Sequence, residues 1–246
     1  MEKITYYVLS ALAVLIILTL HEFAHGYVAY KLGDNTAKNL GRLTLNPLKH
    51  LDPFGALCML FFHFGWAKPV PVNARNFKNP KKDFALVALA GPAFNLILAI
   101  ISSFLYLLLF SIFSKVAFES KFLFSLVNNL LTFVFLFYSI NLSFAIFNLI
   151  PIPPLDGSRL LNVILPEKWY FGIMQYEKYI YWGFVAWLLV GPYISSFLLA
   201  VPFIAANPVL SFIANLFSLS GMLSKLMNLI SDGIFFLWRL IPFLNV

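Results

Sequence analysis

Long apolar segments without charge constrain this chain more than any other feature. Residues 84–113 and 122–149 contain no charged side chain, and residues 4–20 are equally apolar. About 20 such residues in a helix cross the hydrocarbon core of a bilayer. With 61% hydrophobic and only 11% charged residues, the composition excludes a soluble globular domain. We therefore predict an all-α polytopic membrane protein whose surroundings are the lipid bilayer.

The apolar segments divide the chain into two predicted units. Residues 1–161 form the first unit, and a polar loop at residues 36–83 interrupts it. Residues 162–246 form a C-terminal membrane region, with a span at about 179–199 and then a further span or interfacial helices. The first unit is predicted to contain three spans, at about residues 4–32, 84–113 and 122–149.

The charge pattern indicates orientation and not nucleic-acid binding. The formal net charge is +7, but the basic residues are spread over short loops between apolar segments. Basic loops stay on the cytoplasmic side. We therefore place the loop at 36–83 in the cytoplasm, the N-terminus outside, and the protein in the cell (inner) membrane, with no nucleic-acid partner. Basic residues of this loop are Lys38, Arg42, Lys49, Lys68, Arg75, Lys78, Lys81 and Lys82.

A His-Glu-x-x-His motif ends the first apolar run. His21 and His25 are four residues apart, so on a helix both imidazoles share one face and can bind one metal ion. Glu22 stands beside the pair, where it can take a proton from an activated water without ligating the metal. Ionisable groups inside a membrane are costly and usually functional. The alternative is a membrane-edge helix whose polar side chains only reach toward water.

A second polar position follows the third span. Residues 151–154 include three prolines that forbid regular helix, and Asp156 comes directly after this break. Because the first and third spans run in the same direction, the topology brings Asp156 to the depth of His21 and His25. These three side chains and a water would complete a catalytic zinc site, with one Zn²⁺ per chain. Asn148 is a candidate for stabilising the oxyanion, or a helix C-terminal cap.

The loop between the first two spans is predicted to hold a short β-hairpin and, at residues 56–64, a re-entrant or surface segment. Two prolines in the stretch 68–73 leave one edge of an extended strand free. A substrate could add to this edge as a strand, although a plain structural hairpin is an equal alternative. Elsewhere, we expect His50 and His63 at the surface or membrane edge. Asn95 is a site residue or, as we favour, a hydrogen-bonding contact between helices. The candidate substrate-binding residues are Lys68, Pro69, Val70, Pro71, Val72 and Asn73.

These segments together resemble the site-2 protease family of intramembrane zinc metalloproteases, in a compact form without a PDZ domain. The resemblance covers about two thirds of the chain. It implies a three-helix catalytic core, zinc on His21, His25 and Asp156, Glu22 as the catalytic acid or base, and Asn148 beside the metal. The motifs are HEFAH at 21–25, GRLTLNP at 41–47, GWAKPVPVN at 65–73, AGPAFN at 90–95 and NLIPIPPLDG at 148–157.

The expected function is hydrolysis of a peptide bond in a transmembrane protein substrate, near the cytoplasmic face. The alternative is a transporter or metal-binding membrane protein that uses the same His and Asp cluster without hydrolysis. Transporters commonly show paired repeats and several ionisable residues along a path. The spans of this chain carry almost no charge outside the cluster, which favours one fixed site. The sequence leaves the substrate and the oligomeric state open.

Overall fold

The computed structural model describes residues 2–55, 67–216 and 218–244, and the folded elements in these ranges are helices. Single 3₁₀ turns occur at Pro47–Lys49, Ala74–Asn76 and Pro242–Leu244. The α-helices in chain order are α1 (Glu2–Lys31), α2 (Thr36–Asn39), α3 (Pro80–Phe113), α4 (Lys121–Asn148), α5 (Gly157–Ile164), α6 (Glu167–Met174), α7 (Glu177–Leu199), α8 (Pro202–Ala206), α9 (Pro208–Leu216) and α10 (Leu219–Arg239).

Four of the described helices are long and apolar enough to cross a membrane, which confirms a multi-pass membrane protein. They are α1, α3, α4 and α7. Their bounds agree with the predicted spans to within four residues. The largest difference is at α3, which begins at Pro80 because the side chain of Asn79 accepts a hydrogen bond from the backbone of Lys82.

Helices α1, α3 and α4 pack against one another and form the centre of the protein. Buried small residues such as Ala13 on α1, and Ala88 and Ala99 on α3, allow the helix backbones to approach closely. Ile17 and Leu142 fill the space between them and are almost completely buried. This three-helix core holds the predicted site at the C-terminal end of α1.

The segments after α5 attach to this core mainly through apolar contacts. Ile234 on α10 packs in a cluster with Ala99, Tyr138 and Leu142. The Tyr138 hydroxyl also donates a hydrogen bond to Ser231 Oγ at 2.6 Å. The region that was predicted as a further span or interfacial helices is divided into α8, α9 and the amphipathic α10. Helix α10 is not among the candidate spans found in the described residues.

The predicted β-hairpin is not present among the described residues. Its place holds one isolated antiparallel bridge, between Leu51 and Ala67. The backbone N–H of Lys68 donates to the His50 carbonyl at 2.8 Å, but no ladder continues from there. The reason is that prolines at 69 and 71 have no N–H to donate. The predicted re-entrant segment at 56–64 lies outside the described residues.

The expectation that His50 lies at a surface is wrong. This side chain is 1% exposed, and its Nε2 donates to the Thr44 carbonyl at 2.8 Å. Its burial follows from the loop closing around it. His63 lies outside the described residues.

Candidate active site

Two histidines and an aspartate that are far apart in sequence meet at the C-terminal third of α1. His21 and His25 lie one helical turn apart, and their Nε2 atoms are 3.1 Å from each other. Oδ2 of Asp156 is 3.2 Å from each Nε2. Each of the three side chains offers one nitrogen or oxygen atom as a ligand, and these atoms lie within 4.8 Å of one another. The three predicted ligands are therefore together, and the cluster could hold a metal ion.

A tight turn after α4 brings Asp156 to this place. Helix α4 ends at Asn148, and α5 begins at Gly157. A Cβ at Gly157 would come within 2.5 Å of the Ile150 carbonyl oxygen, so the turn closes only with glycine at this position. The backbone N–H of Leu155 donates to the Ile152 carbonyl at 2.9 Å and holds the proline-rich turn in shape.

The surroundings of the Asp156 carboxyl keep it ionised. Burial alone would raise its pKa, but the imidazoles of His21 and His25 that face the carboxyl hold the pKa well below its usual range. An ionised carboxylate is the form that ligates a metal. The position of Asp156 therefore suits a ligand.

A backbone carbonyl of α3 fixes the orientation of one histidine. Nδ1 of His25 donates a hydrogen bond to the carbonyl oxygen of Val87 at 2.7 Å. This contact assigns the proton to Nδ1 and leaves Nε2 free to face the cluster, as in metal-ligating histidines generally. His21 is held differently: the edge of its ring meets Phe144 at a centroid distance of 5.6 Å, and its buried Nδ1 has no hydrogen-bond partner within the described residues.

Helix α3 can approach the histidines only because position 91 is glycine. A Cβ there would lie 2.5 Å from Cε1 of His21 and even closer to Nε2 of His25. Real Cβ atoms do not tolerate such contacts. The close approach of α3 to α1 at Gly91 is therefore an approach to the histidine pair itself. The sequence could not show this, because it depends on the register between α1 and α3.

Glu22 lies beside the cluster without belonging to it. Its Oε2 accepts a hydrogen bond from the backbone N–H of Val70 at 2.7 Å. The carboxylate is also close enough to His25 to act on it electrostatically. The predicted separation of roles, in which the two histidines bind the metal and Glu22 does not, stays a prediction.

Asn148 and Asn95 make no hydrogen bond to the cluster within the described residues. Asn148 is the last residue of α4, and its Nδ2 donates to the Phe144 carbonyl at 3.0 Å, one turn back in the same helix. Its proposed contact with the reaction centre stays a prediction. Asn95 is fully buried, and neither atom of its amide has a hydrogen-bond partner within the described residues, so the expected hydrogen bond between helices is not observed.

Residues 68–73, predicted to bind substrate, form no described helix or strand. Their contacts involve two residues that the sequence analysis did not select, Asp34 and Arg42. The only available signal was that Asp34 follows Gly33 at the end of α1. Gly33 adopts a φ of 107°, in the left-handed region that glycine tolerates.

The chain resembles known proteins over most of its length. The sequence model of peptidase family M50 matches residues 9–191. A Bacillus subtilis (strain 168) protein named "Putative zinc metalloprotease YwhC" is 44% identical over 195 residues, which cover 77% of this chain and 85% of that protein. "Putative zinc metalloprotease Rip2" of Mycobacterium tuberculosis (strain H37Rv) is 32% identical over 152 residues, covering 60% of this chain and 54% of Rip2. No solved structure matches the chain.

The match and the geometry agree. The family match contains the His pair, Glu22 and Asp156, and extends into α7. The cluster that the fold assembles has the two imidazoles and one carboxylate that a catalytic zinc site uses. With a matched segment that covers most of its length and a metal-binding cluster at its centre, this chain belongs to peptidase family M50 and is a zinc metalloprotease of that family.

Proposed function

We propose that this protein is a zinc-dependent intramembrane endopeptidase, which hydrolyses a peptide bond of a transmembrane protein near the cytoplasmic face. The observation that carries the proposal is the convergence of His21, His25 and Asp156 inside a core of apolar helices. A reaction centre built on candidate spans meets its substrate at the membrane. The concentration of basic residues in the loop at 36–83 supports a cytoplasmic position for this end of the core.

His21, His25 and Asp156 would hold one zinc ion. The donor set fits: two imidazole nitrogens and one ionised carboxylate are typical of zinc sites that keep a position open. The hydrogen bond from His25 to the Val87 carbonyl supports the fit, because it directs Nε2 of that ring toward the cluster. When bound, zinc supplies Lewis-acid activation of a water molecule.

Glu22 would move the proton in this reaction. Its carboxylate accepts a proton from the attacking water as the new C–O bond forms at the substrate carbonyl. The same proton then passes to the amide nitrogen as the C–N bond breaks, which releases a carboxylic acid and an amine. Asn148 would donate a hydrogen bond to the developing oxyanion, after giving up its present bond to Phe144.

Residues 68–73 would bind the substrate. A peptide bond inside a helix is shielded, so a protease needs an extended substrate, and strand addition supplies one. Val72 supports this role, because its backbone N–H makes no hydrogen bond within the described residues. Two residues before it, the Val70 N–H is bound to Glu22. Substrate binding and proton transfer would thus take place side by side.

The test compares the purified protein with a Glu22→Gln variant in detergent, each incubated with a panel of single-span substrates. We expect both proteins to bind zinc, because Glu22 is not a ligand, and only the parent to cleave. Bound zinc in both proteins without cleavage of any substrate would support metal binding or transport instead. Cleavage by Glu22→Gln at the parental rate would remove Glu22 from its proposed role.

A further inference from the structure

Residues 68–73, here called the anchored segment, are attached to their surroundings by three side chains. Glu22 binds the Val70 N–H at 2.7 Å, and Asp34 binds the Asn73 N–H at 2.7 Å. Both carboxylates belong to α1 or to the turn that directly follows it. The guanidinium of Arg42 donates to the Lys68 and Pro69 carbonyls at 2.7 and 3.2 Å. The segment is therefore fixed at its beginning, in its middle and at its end.

The contact at Val70 is made with both the backbone and the side chain. Val70 is 8% exposed, and its Cγ1 packs over Gly26, where an added Cβ would lie 3.2 Å away. Gly26 follows Glu22 by one helical turn, so the two positions share a face of α1. The valine side chain sits against the glycine while its N–H reaches the glutamate. This arrangement leaves Val70 little freedom to move along α1.

The contact at Asn73 depends on a carboxylate with unusually many partners. Asp34 is fully buried, and besides the Asn73 N–H it accepts hydrogen bonds from Thr36 and from Nδ2 of Asn76. Thr36 precedes the anchored segment in the chain, and Asn76 follows it. Hydrogen bonds to an ionised acceptor are stronger than neutral ones. Asp34 thus attaches the end of the segment firmly to the end of α1.

We propose that the anchored segment positions Glu22 for proton transfer, with Asp34 and Arg42 as positioning residues that act through it. The Val70 N–H holds Oε2 and thereby directs Oε1, the oxygen that takes the proton. Neither Asp34 nor Arg42 touches the reacting atoms; each fixes the backbone that carries the Val70 N–H. The inference rests on the proposed function, because Glu22 needs an orientation only if it transfers a proton.

The expected size of the effect follows from orientation. A glutamate side chain has several rotatable bonds, and misplacement of a catalytic group by about 1 Å can cost roughly 100-fold in rate. Zinc binding does not involve this hydrogen bond, so the metal should stay when the bond is lost. Loss of kcat with zinc retained is the signature of a positioning role, since general unfolding would lose both.

The first experiment replaces Val70 with proline, which has no N–H to donate and also lacks the valine side chain that packs over Gly26. Val70→Pro deletes the donor to Glu22, and Val72→Pro makes the same change two residues later, where the N–H has no partner within the described residues. We expect Val70→Pro to lower kcat by about 10-fold to 100-fold with bound zinc and KM near the parent. Val72→Pro should instead raise KM and keep kcat within about threefold, because substrate pairing and not Glu22 loses a contact.

The inference is overturned if Val70→Pro keeps the parental kcat with full zinc. It is also overturned if kcat rises, because the bond would then restrain Glu22 and not orient it. A parent that binds zinc and cleaves nothing contradicts the proposed function, whereas an active parent with an equally active Val70→Pro contradicts only the positioning role.

A second experiment decides the question if Val70→Pro does not fold. Asp34→Asn weakens the anchor at Asn73, and the double variant Asp34→Asn with Asn76→Asp exchanges the two partners of one hydrogen bond. We expect Asp34→Asn to lower kcat by several-fold with zinc retained, and the exchange to restore part of the loss. An unchanged kcat in Asp34→Asn, or equal losses of kcat and zinc, would overturn the inference.

Discussion

The three-helix core and the C-terminal region are both helical and apolar, but they are organised by different forces. The core of α1, α3 and α4, with the turns next to it, buries His21, His25 and Asp34, each of which has a polar partner. Within the described part of residues 162–246, the buried polar side chain is Ser195. Specific polar contacts therefore position the core elements, whereas apolar packing positions the rest. Substitutions should affect metal binding in the first region and only stability in the second.

The strongest expected contrast uses two glycines in candidate spans. Gly91→Ala places a Cβ against His21 and His25, whereas a Cβ at Gly183 on α7 meets no atom within 4 Å. We expect Gly91→Ala to lower zinc affinity by at least about tenfold, because it displaces the ligands. Gly183→Ala should keep zinc and leave stability equal or up to about 1 kcal/mol higher. Metal titration measures the zinc affinity of each variant, and thermal unfolding measures its stability. Full zinc affinity in Gly91→Ala would contradict the register of α3 against α1.

The next effect concerns the carboxylate at the end of α1. Asp34→Ala removes the acceptor of the hydrogen bonds from Thr36, Asn73 and Asn76, and we expect a loss of about 2 kcal/mol in the free energy of unfolding. Burial alone would raise the pKa of Asp34, but hydrogen bonds from Thr36, Asn73 and Asn76 hold it below its usual range. A depressed folded-state pKa stabilises the protein above the unfolded-state pKa of about 3.9 and loses that contribution as the pH falls further.

Thermal unfolding from pH 7 to pH 3 measures this contribution. The difference between the parent and Asp34→Ala should be constant above about pH 5 and shrink below about pH 4. A difference that stays the same down to pH 3 would contradict the assigned role of the ionised carboxylate.

A smaller effect is expected where the C-terminal region meets the core. Tyr138→Phe removes the hydrogen bond to Ser231 and keeps the ring in its cluster with Ile234. We expect a loss of about 1 kcal/mol, with zinc affinity and kcat unchanged. Thermal unfolding and metal titration on the same preparations check this. A clear change in zinc affinity would show that packing of the C-terminal region against the core affects the metal site.

The smallest expected effect is at a partly exposed ion pair between the regions. Arg159 Nη2 lies 2.7 Å from Glu177 Oε1, and both side chains are about one third exposed. Glu177→Gln should therefore cost at most about 0.5 kcal/mol, and less at high salt. Unfolding at low and high ionic strength measures it; a loss above about 2 kcal/mol would mean that this pair organises the C-terminal region.

The sequence could predict the features that depend on hydropathy and on helical spacing. Spans follow from length and hydropathy, so the bounds of α1, α3, α4 and α7 were predicted closely. His21 and His25 follow from helical spacing, and the direction of the spans brings Asp156 to them. These conclusions need no knowledge of side-chain packing.

Features that depend on tertiary contacts were not predictable from the pattern. The Val87 carbonyl and the glycine at 91 serve the site only through the register of α3 against α1. The β-hairpin prediction failed for two reasons: the prolines at 69 and 71 have no N–H to donate, and Glu22 and Asp34 take the N–H groups of Val70 and Asn73. A sequence pattern shows that the backbone N–H groups of an extended segment can be free, but not which side chain will accept hydrogen bonds from them.

Bound zinc in the Asp156→Ala variant tests the central claim most directly. The claim is that one metal ion is held jointly by the His pair of α1 and by Asp156, 131 residues after His25. Metal analysis of the purified parent should give about one zinc per chain, and Glu22→Gln should match it. Asp156→Ala should retain well under half of that zinc after dialysis against a weak chelator. Equal zinc in Asp156→Ala and the parent would contradict the three-ligand site.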